Sequence, residues 1–88
     1  MGDLPGAELV EKGIADLGQG IESVESLLVS IGAPRLEGLG IEVASPFASA
    51  EHRLYVLLRA EEGDEAHSRY NALVRRLVSF ERAAECAS

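Results

Sequence analysis

The feature that most constrains this chain is an apolar repeat in its N-terminal third. Apolar residues recur there at alternating intervals of three and four positions: Ala7, Val10, Ile14, Leu17, Ile21, Val24, Leu28 and Ile31. This spacing puts all of them on one face of an α-helix and is the heptad repeat of helices that pack along their length. It predicts one long helix over about residues 5–31, beginning at Pro5 and closed by Gly32 and Pro34.

Glycines interrupt this helical pattern at a regular spacing. Gly6, Gly13 and Gly20 recur every seven residues, although each glycine inside a helix costs roughly 1 kcal/mol relative to alanine. Because the spacing matches the heptad, the three glycines fall along one edge of the apolar face. They predict that a neighbouring helix approaches closely along that edge.

The rest of the chain predicts a connection and two further helices. Residues 32–49 are rich in Gly and Pro and read as a connection, with a short helical turn at 34–39. Ser49 is placed as the N-cap of a helix over about 50–62, which Gly63 ends. Asp64 is placed as the cap of a helix over about 64–85. The apolar face of this last helix is formed by Ala66, Tyr70, Leu73, Leu77, Phe80 and Ala84.

These elements predict a single small all-α domain over residues 1–88. The two long helices, 5–31 and 64–85, are expected to pack as an antiparallel hairpin, with the shorter middle helix covering one side. Several apolar residues lie outside the two apolar faces and would stay uncovered in such a hairpin: Leu9, Leu27, Val29, Val74 and Val78. We therefore expect a homodimer that completes a helical bundle from two copies.

Composition excludes several classes of function. The net charge of −7 opposes binding to nucleic acid, which needs clustered Lys and Arg, and opposes binding to an anionic membrane surface. No stretch reaches the ~18 consecutive apolar residues of a membrane-spanning helix. Cys86 is the single cysteine, so no disulfide can form within the chain, which fits the cytoplasm.

The richest group of polar side chains lies in the segment AHSRYNALVRRLVSF. It contains His67, Arg69 and Tyr70, and His52 on the preceding helix is the other histidine. On a helical wheel the three do not converge: Tyr70 falls on the apolar face, and Arg69 is explained by an ion pair with Glu65 four residues earlier. These four residues are nevertheless the candidate ligand-binding site, because His, Tyr and Arg bind and transfer protons or hold anions.

Other site chemistries lack the residues that they need. The histidines and Cys86 do not have the spacing of metal ligands, so no metal and no cofactor is expected. Ser45 and Ser49 read as helix caps and Ser23, Ser26 and Ser30 as surface positions, so none reads as a nucleophile.

Three functional hypotheses follow. The first is a small cytoplasmic module that binds protein, in an interaction or regulatory role, and acts as a homodimer. The second is a helical ligand-binding protein or minor hydrolase with its polar site around His52, His67, Arg69 and Tyr70. The third is an antitoxin-like partner that neutralises a basic protein with its acidic first helix. The pattern favours a binding role over an enzymatic one.

Overall fold

The chain folds into α-helices joined by turns and one longer connection in the computed structural model, which describes residues 4–87. Five helices occur within these residues: α1 (Ala7–Gly18), α2 (Val24–Ile31), α3 (Ala33–Gly38), α4 (Ala50–Glu62) and α5 (Ala66–Ala87). A 3₁₀ turn, Gly63–Glu65, joins α4 to α5. The predicted all-α class is therefore confirmed for the described part of the chain.

The predicted single helix over residues 5–31 is wrong. The chain instead reverses between Gly18 and Val24, and α1 packs against α2 as an antiparallel pair. The direction follows from the contacts, since Asp16 meets Ser23 while Lys12 meets Glu25 further along. The predicted hairpin of two long helices is therefore not formed. The short helices α1 and α2 take the place of the first long helix, and α5 is the second.

Local chemistry at the turn explains the reversal. Gly20 adopts a left-handed conformation with φ of +72°, which glycine tolerates because it has no Cβ. Ser23 then starts α2 with a reciprocal cap: its hydroxyl accepts from the Ser26 N–H at 3.1 Å, and its own N–H donates to Ser26 Oγ at 2.7 Å. The Ser23 hydroxyl also donates to Asp16 Oδ2 at 2.7 Å. Hydrogen bonds from Lys12 and from Ser23 lower the pKa of Asp16.

Two of the three heptad-spaced glycines lie where another element comes close. A Cβ at Gly13 would overlap Val29 Cγ2 and the carbonyl oxygen of Glu25 on α2. A Cβ at Gly6 would lie 2.8 Å from the Arg76 carbonyl oxygen on α5, and Gly6 itself has a φ of +77°. The predicted close approach is thus confirmed at these two positions, and its partners are helices of the same chain.

The reversal buries apolar residues that a long helix would leave exposed. Leu27 and Val29 on α2 are both 0% exposed, whereas Ile21, which falls in the turn, is 45% exposed. The core is formed by Ala7, Val10, Leu17, Leu27, Leu28, Val29, Ala33, Leu36, Val43, Ala50, Leu54, Leu58, Ala66, Leu73, Leu77 and Phe80. The need to cover such residues with a second copy, which motivated the expected dimer, is therefore largely removed.

The connection over residues 32–49 is anchored at several points. Its first part forms α3, where a short helical turn is predicted. Val43 is buried, and the Phe47 N–H donates to Ser30 Oγ at 3.0 Å. Ser30 in turn donates to the Ser26 carbonyl oxygen at 2.8 Å. Ser26 and Ser30 are buried, so their predicted surface position is wrong.

Helices α4 and α5 form the hairpin on which the candidate residues lie. Helix α4 has the predicted bounds, and α5 begins two residues later than predicted, after the 3₁₀ turn that contains Asp64. Ser49 stands at the N-cap of α4 but has a left-handed φ of 54° and makes no side-chain capping bond. The predicted apolar face of α5 is confirmed, since each of its six residues is buried or half-buried.

Candidate functional site

The two histidines of the candidate site are exposed on different helices. His52 lies near the start of α4 and His67 in the first turn of α5. The Nε2 atom of His67 is 3.3 Å from Asn71 Nδ2, one helical turn along α5. His67 is therefore in contact with its own helix rather than with a carboxylate that would orient it for proton transfer.

Tyr70 belongs to the contact between α4 and α5. Its ring meets Tyr55 edge to face, with 6.1 Å between centroids and 63° between ring planes. Burial raises the pKa of the Tyr70 hydroxyl, and the charge of Glu51 raises it further. The half-buried ring and its contact with Tyr55 place Tyr70 in the packing between α4 and α5.

Arg69 forms its ion pair with a different residue from the predicted one. Its Nε lies 3.4 Å from Glu62 Oε2, on the last turn of α4, rather than pairing with Glu65. The pair spans the turn between the two helices and is exposed on both sides, so it contributes little to stability.

Two clefts flank α4, and each is lined by one of the four candidate residues. Arg69 lines one and His52 lines the other, while His67 and Tyr70 line neither. Both clefts reach Glu22 of the α1–α2 turn and Leu57 of α4. The candidate residues are thus not gathered around one cavity.

The first, which we call the acidic cleft, has a volume of about 420 Å³. It lies where the start of α2, the end of α4 and the start of α5 meet. Its lining is Glu22, Ser23, Val24, Glu25, Leu57, Leu58, Glu61, Glu62 and Arg69. Its four carboxylates outnumber the single guanidinium of the lining. Three of them form ion pairs with basic side chains: Glu22 with Arg53, Glu25 with Lys12 and Glu62 with Arg69.

The second, which we call the α4 groove, has a volume of about 370 Å³. It is lined by Glu22, His52, Arg53, Val56, Leu57 and Ala60. Val56 in this lining is 53% exposed, more than Ile21 or Val78, the other large apolar residues exposed within residues 4–87. Of the residues that line this groove, His52 is among the candidate residues predicted from the sequence and Val56 is not.

Arg53 at the edge of the α4 groove is held by two neighbours. Its guanidinium lies over the Phe47 ring, 5.6 Å from the centroid, a cation–π arrangement. Its Nη1 is 3.8 Å from Glu22 Oε1. The positive charge of Arg53 therefore lies between the Phe47 ring and the Glu22 carboxylate.

A buried carboxylate elsewhere in the fold is also absent from the sequence prediction. Glu81 on α5 is 5% exposed, and its Oε1 lies 3.9 Å from Arg35 Nε on α3. Burial raises the pKa of Glu81, and the charge of Arg35 opposes that rise. The sequence does contain a signal for the burial of Glu81. Leu77 lies four residues before it and Ala84 lies three residues after it, and both belong to the apolar face of α5.

Metal sites and membrane spans can be assessed for residues 4–87. No group of three or more His, Cys, Asp or Glu side chains is arranged there to hold a metal ion. No helix in that range combines the length and the apolar character needed to cross a membrane.

No protein-family profile, curated protein sequence or solved structure matches this chain.

Proposed function

We propose that this chain is a small cytoplasmic protein–protein interaction module that acts as a homodimer. The observation that carries the proposal is the α4 groove, where Val56 is 53% exposed beside Leu57 and Ala60. Exposed apolar surface framed by charged residues is characteristic of protein-binding sites. The exposure of both histidine rings supports a binding surface over an enclosed catalytic site.

The interface in this proposal is a surface contact between folded subunits. The core is already closed within one chain, so association is not needed for folding. Helix α4 has 13 residues and is about 20 Å long, which limits the length of the contact that this helix alone can make.

Sedimentation velocity over a range of micromolar concentrations tests the proposal. We expect a species of twice the chain mass that gives way to the monomer on dilution. A single species of one chain mass at every concentration would refute the homodimer.

The acidic cleft favours a second candidate function, binding of a basic protein segment. Glu61 and Glu62 line the cleft together with the apolar side chains of Val24, Leu57 and Leu58, a combination that would complement the charged end and aliphatic stem of Lys or Arg. This is the chemistry that the antitoxin-like hypothesis requires, with the acidic surface formed by α2 and α4 in place of one acidic helix.

A pair of charge-matched double variants tests this second function. Fluorescence anisotropy with a labelled Lys/Arg-rich amphipathic peptide would compare Glu61→Gln/Glu62→Gln with Glu37→Gln/Glu42→Gln, whose carboxylates are exposed outside the cleft. We expect only the first pair to weaken binding. Equal losses would show that net charge alone attracts the peptide, and the cleft would be rejected.

A further inference from the structure

We infer that residues 41–49, the strap that connects α3 to α4, open from the bundle as a unit while the helices stay folded. The strap contacts both α2 and α4, because the Phe47 N–H donates to Ser30 Oγ on α2 and the Phe47 ring lies against Arg53 on α4. The inference concerns motion within one chain, so it does not depend on the proposed homodimer.

Hydrogen bonds hold the strap less firmly than the helices that it joins. Among the described residues, the backbone of residues 42–48 makes no hydrogen bond to another backbone group, and Pro46 has no N–H to donate. The 3.0 Å bond from the Phe47 N–H to Ser30 Oγ ties the strap to α2. A segment with so few protected backbone groups opens at a lower free energy than the helical core.

Val43 is the strap residue that is fixed most deeply in the core. It is 3% exposed, whereas Ile41 and Phe47 are half-buried and the other strap residues are exposed. Opening of the strap therefore removes one fully buried side chain from the core, whereas unfolding of the helices exposes all of it. This difference allows the strap to open far more often than the chain unfolds.

The backbone of the strap has left-handed residues at its boundaries and in its middle. Gly40, just before the strap, has a φ of 88°, and Ser49 at its end has a φ of 54°. Ser45 between them has a φ of 50°. A residue with a Cβ is strained in this region, so opening relieves strain at the two serines. Loop residues at such boundaries are the positions where hinges absorb a change of backbone angles.

Phe47 acts as the latch of the strap, and Arg53 holds it from the other side. The Arg53 guanidinium lies 5.6 Å from the centroid of the Phe47 ring, and its Nη1 lies 3.8 Å from Glu22 Oε1. Arg53 and Glu22 also line the α4 groove. A ligand that draws Arg53 away from Phe47 would therefore favour the open strap, which couples the groove to the strap.

Thiol reactivity tests whether the strap opens separately. In a Cys86→Ser background, Val43→Cys places a thiol under the strap, and the matched control Val29→Cys places one on α2, where the valine is 0% exposed. We expect Val43→Cys to react with a disulfide reagent at least about tenfold faster, with a rate that low urea changes little, because local opening exposes little surface. Equal rates with the same urea dependence would overturn the inference.

Two arginine variants test the latch. Added to the Val43→Cys chain, Arg53→Gln should raise the thiol reaction rate roughly threefold, since it removes the cation–π contact with Phe47. Arg59→Gln removes a positive charge from an exposed position on the same helix, so it controls for the effect of charge on the reagent and should leave the rate unchanged. Equal rates in the two variants would show that Arg53 does not hold the strap.

Hydrogen exchange of the unsubstituted chain makes the same comparison without a cysteine variant. The Phe47 N–H should exchange faster than the Val29 N–H within α2, and only the Val29 rate should rise steeply with low urea. Matching urea dependences would overturn the inference even if a cysteine variant failed to fold. Sedimentation tests the homodimer alone, so either proposal can fail without the other.

Discussion

Single residues show how the same residue type takes different roles in this chain. Ser23 and Ser49 both stand immediately before a helix. Ser23 has an extended backbone and forms a reciprocal cap, whereas Ser49 is left-handed and makes no side-chain capping bond. Sequence identifies Ser49 as a cap because the residue type and position fit, but capping also requires extended backbone angles that the preceding connection does not provide.

Alanine substitution of these two serines should have unequal effects. We expect Ser23→Ala to lower the free energy of unfolding by about 1–2 kcal/mol, since it removes the cap and the hydrogen bond to Asp16. Ser49→Ala is the control and should change it by less than about 0.5 kcal/mol. Urea unfolding measures both, and equal losses would contradict the assigned roles.

Glu81 should make stability depend on pH in a specific direction. Its folded-state pKa is raised above the ordinary 4.5, so the ionised form is the one that folding disfavours. The resulting cost is absent below the ordinary pKa and grows as the pH rises through the folded pKa. Glu81→Gln should therefore raise the melting temperature at neutral pH, with a gain that vanishes below about pH 4.

The matched control for this prediction is Glu85→Gln. Glu85 pairs with the same Arg35, at 3.0 Å, but its side chain is 63% exposed, so its removal should bring no gain at neutral pH. Thermal melts across the pH range compare the two. A neutral-pH loss of stability in Glu81→Gln would mean that attraction to Arg35 outweighs burial.

At the scale of elements, the sequence predicts the second half of the chain better than the first. Helix α4 has its predicted bounds and α5 lies within two residues of them, because Gly63 separates two clear apolar faces. The reversal between α1 and α2 is missed because the three-and-four spacing continues through it, with Ile21 and Val24 in phase. The local signal lies in Gly18 and Gly20 followed by Ser23, a helix stop followed at once by a helix start.

The packing of α1 on α2 gives opposite expectations for two glycines of α1. Gly13→Ala should destabilise by about 1–3 kcal/mol, because the new methyl group overlaps α2 and the helices must separate. Gly18→Ala, where the added methyl meets nothing within 4 Å, should stabilise by up to about 1 kcal/mol. Denaturant unfolding checks both signs, and a gain at Gly13 would refute the close contact.

At the scale of the whole molecule, a single chain closes its own core. The radius of gyration is 12.4 Å, close to the roughly 12 Å expected for a folded chain of this length. The clefts beside α4 could not be read from the sequence because both include Glu22, which reaches them only through the chain reversal. His52 and Arg69 could be named from residue type, but their separation into two clefts depends on that tertiary contact.

If the chain forms the proposed homodimer through the α4 groove, loss of that dimer should leave the fold intact. Val56→Glu places a charge in the α4 groove, so we expect a monomer with helix content and cooperative thermal unfolding like those of the wild type. Circular dichroism and sedimentation on the same sample measure both properties. An unfolded Val56→Glu chain would mean that the core depends on the second copy after all.

The five residues 19–23, which connect α1 to α2, also determine whether α1 packs on α2 of its own chain or on α2 of another copy. The apolar stripe from Ala7 to Ile31 is in register for a straight rod, and only this corner bends it back. If this connection were shortened so that the chain could not reverse, α1 would extend away from its own subunit. It could then pack on α2 of a neighbouring copy through the same contacts. The length of this corner therefore selects between a self-contained subunit and an interlocked, domain-swapped pair.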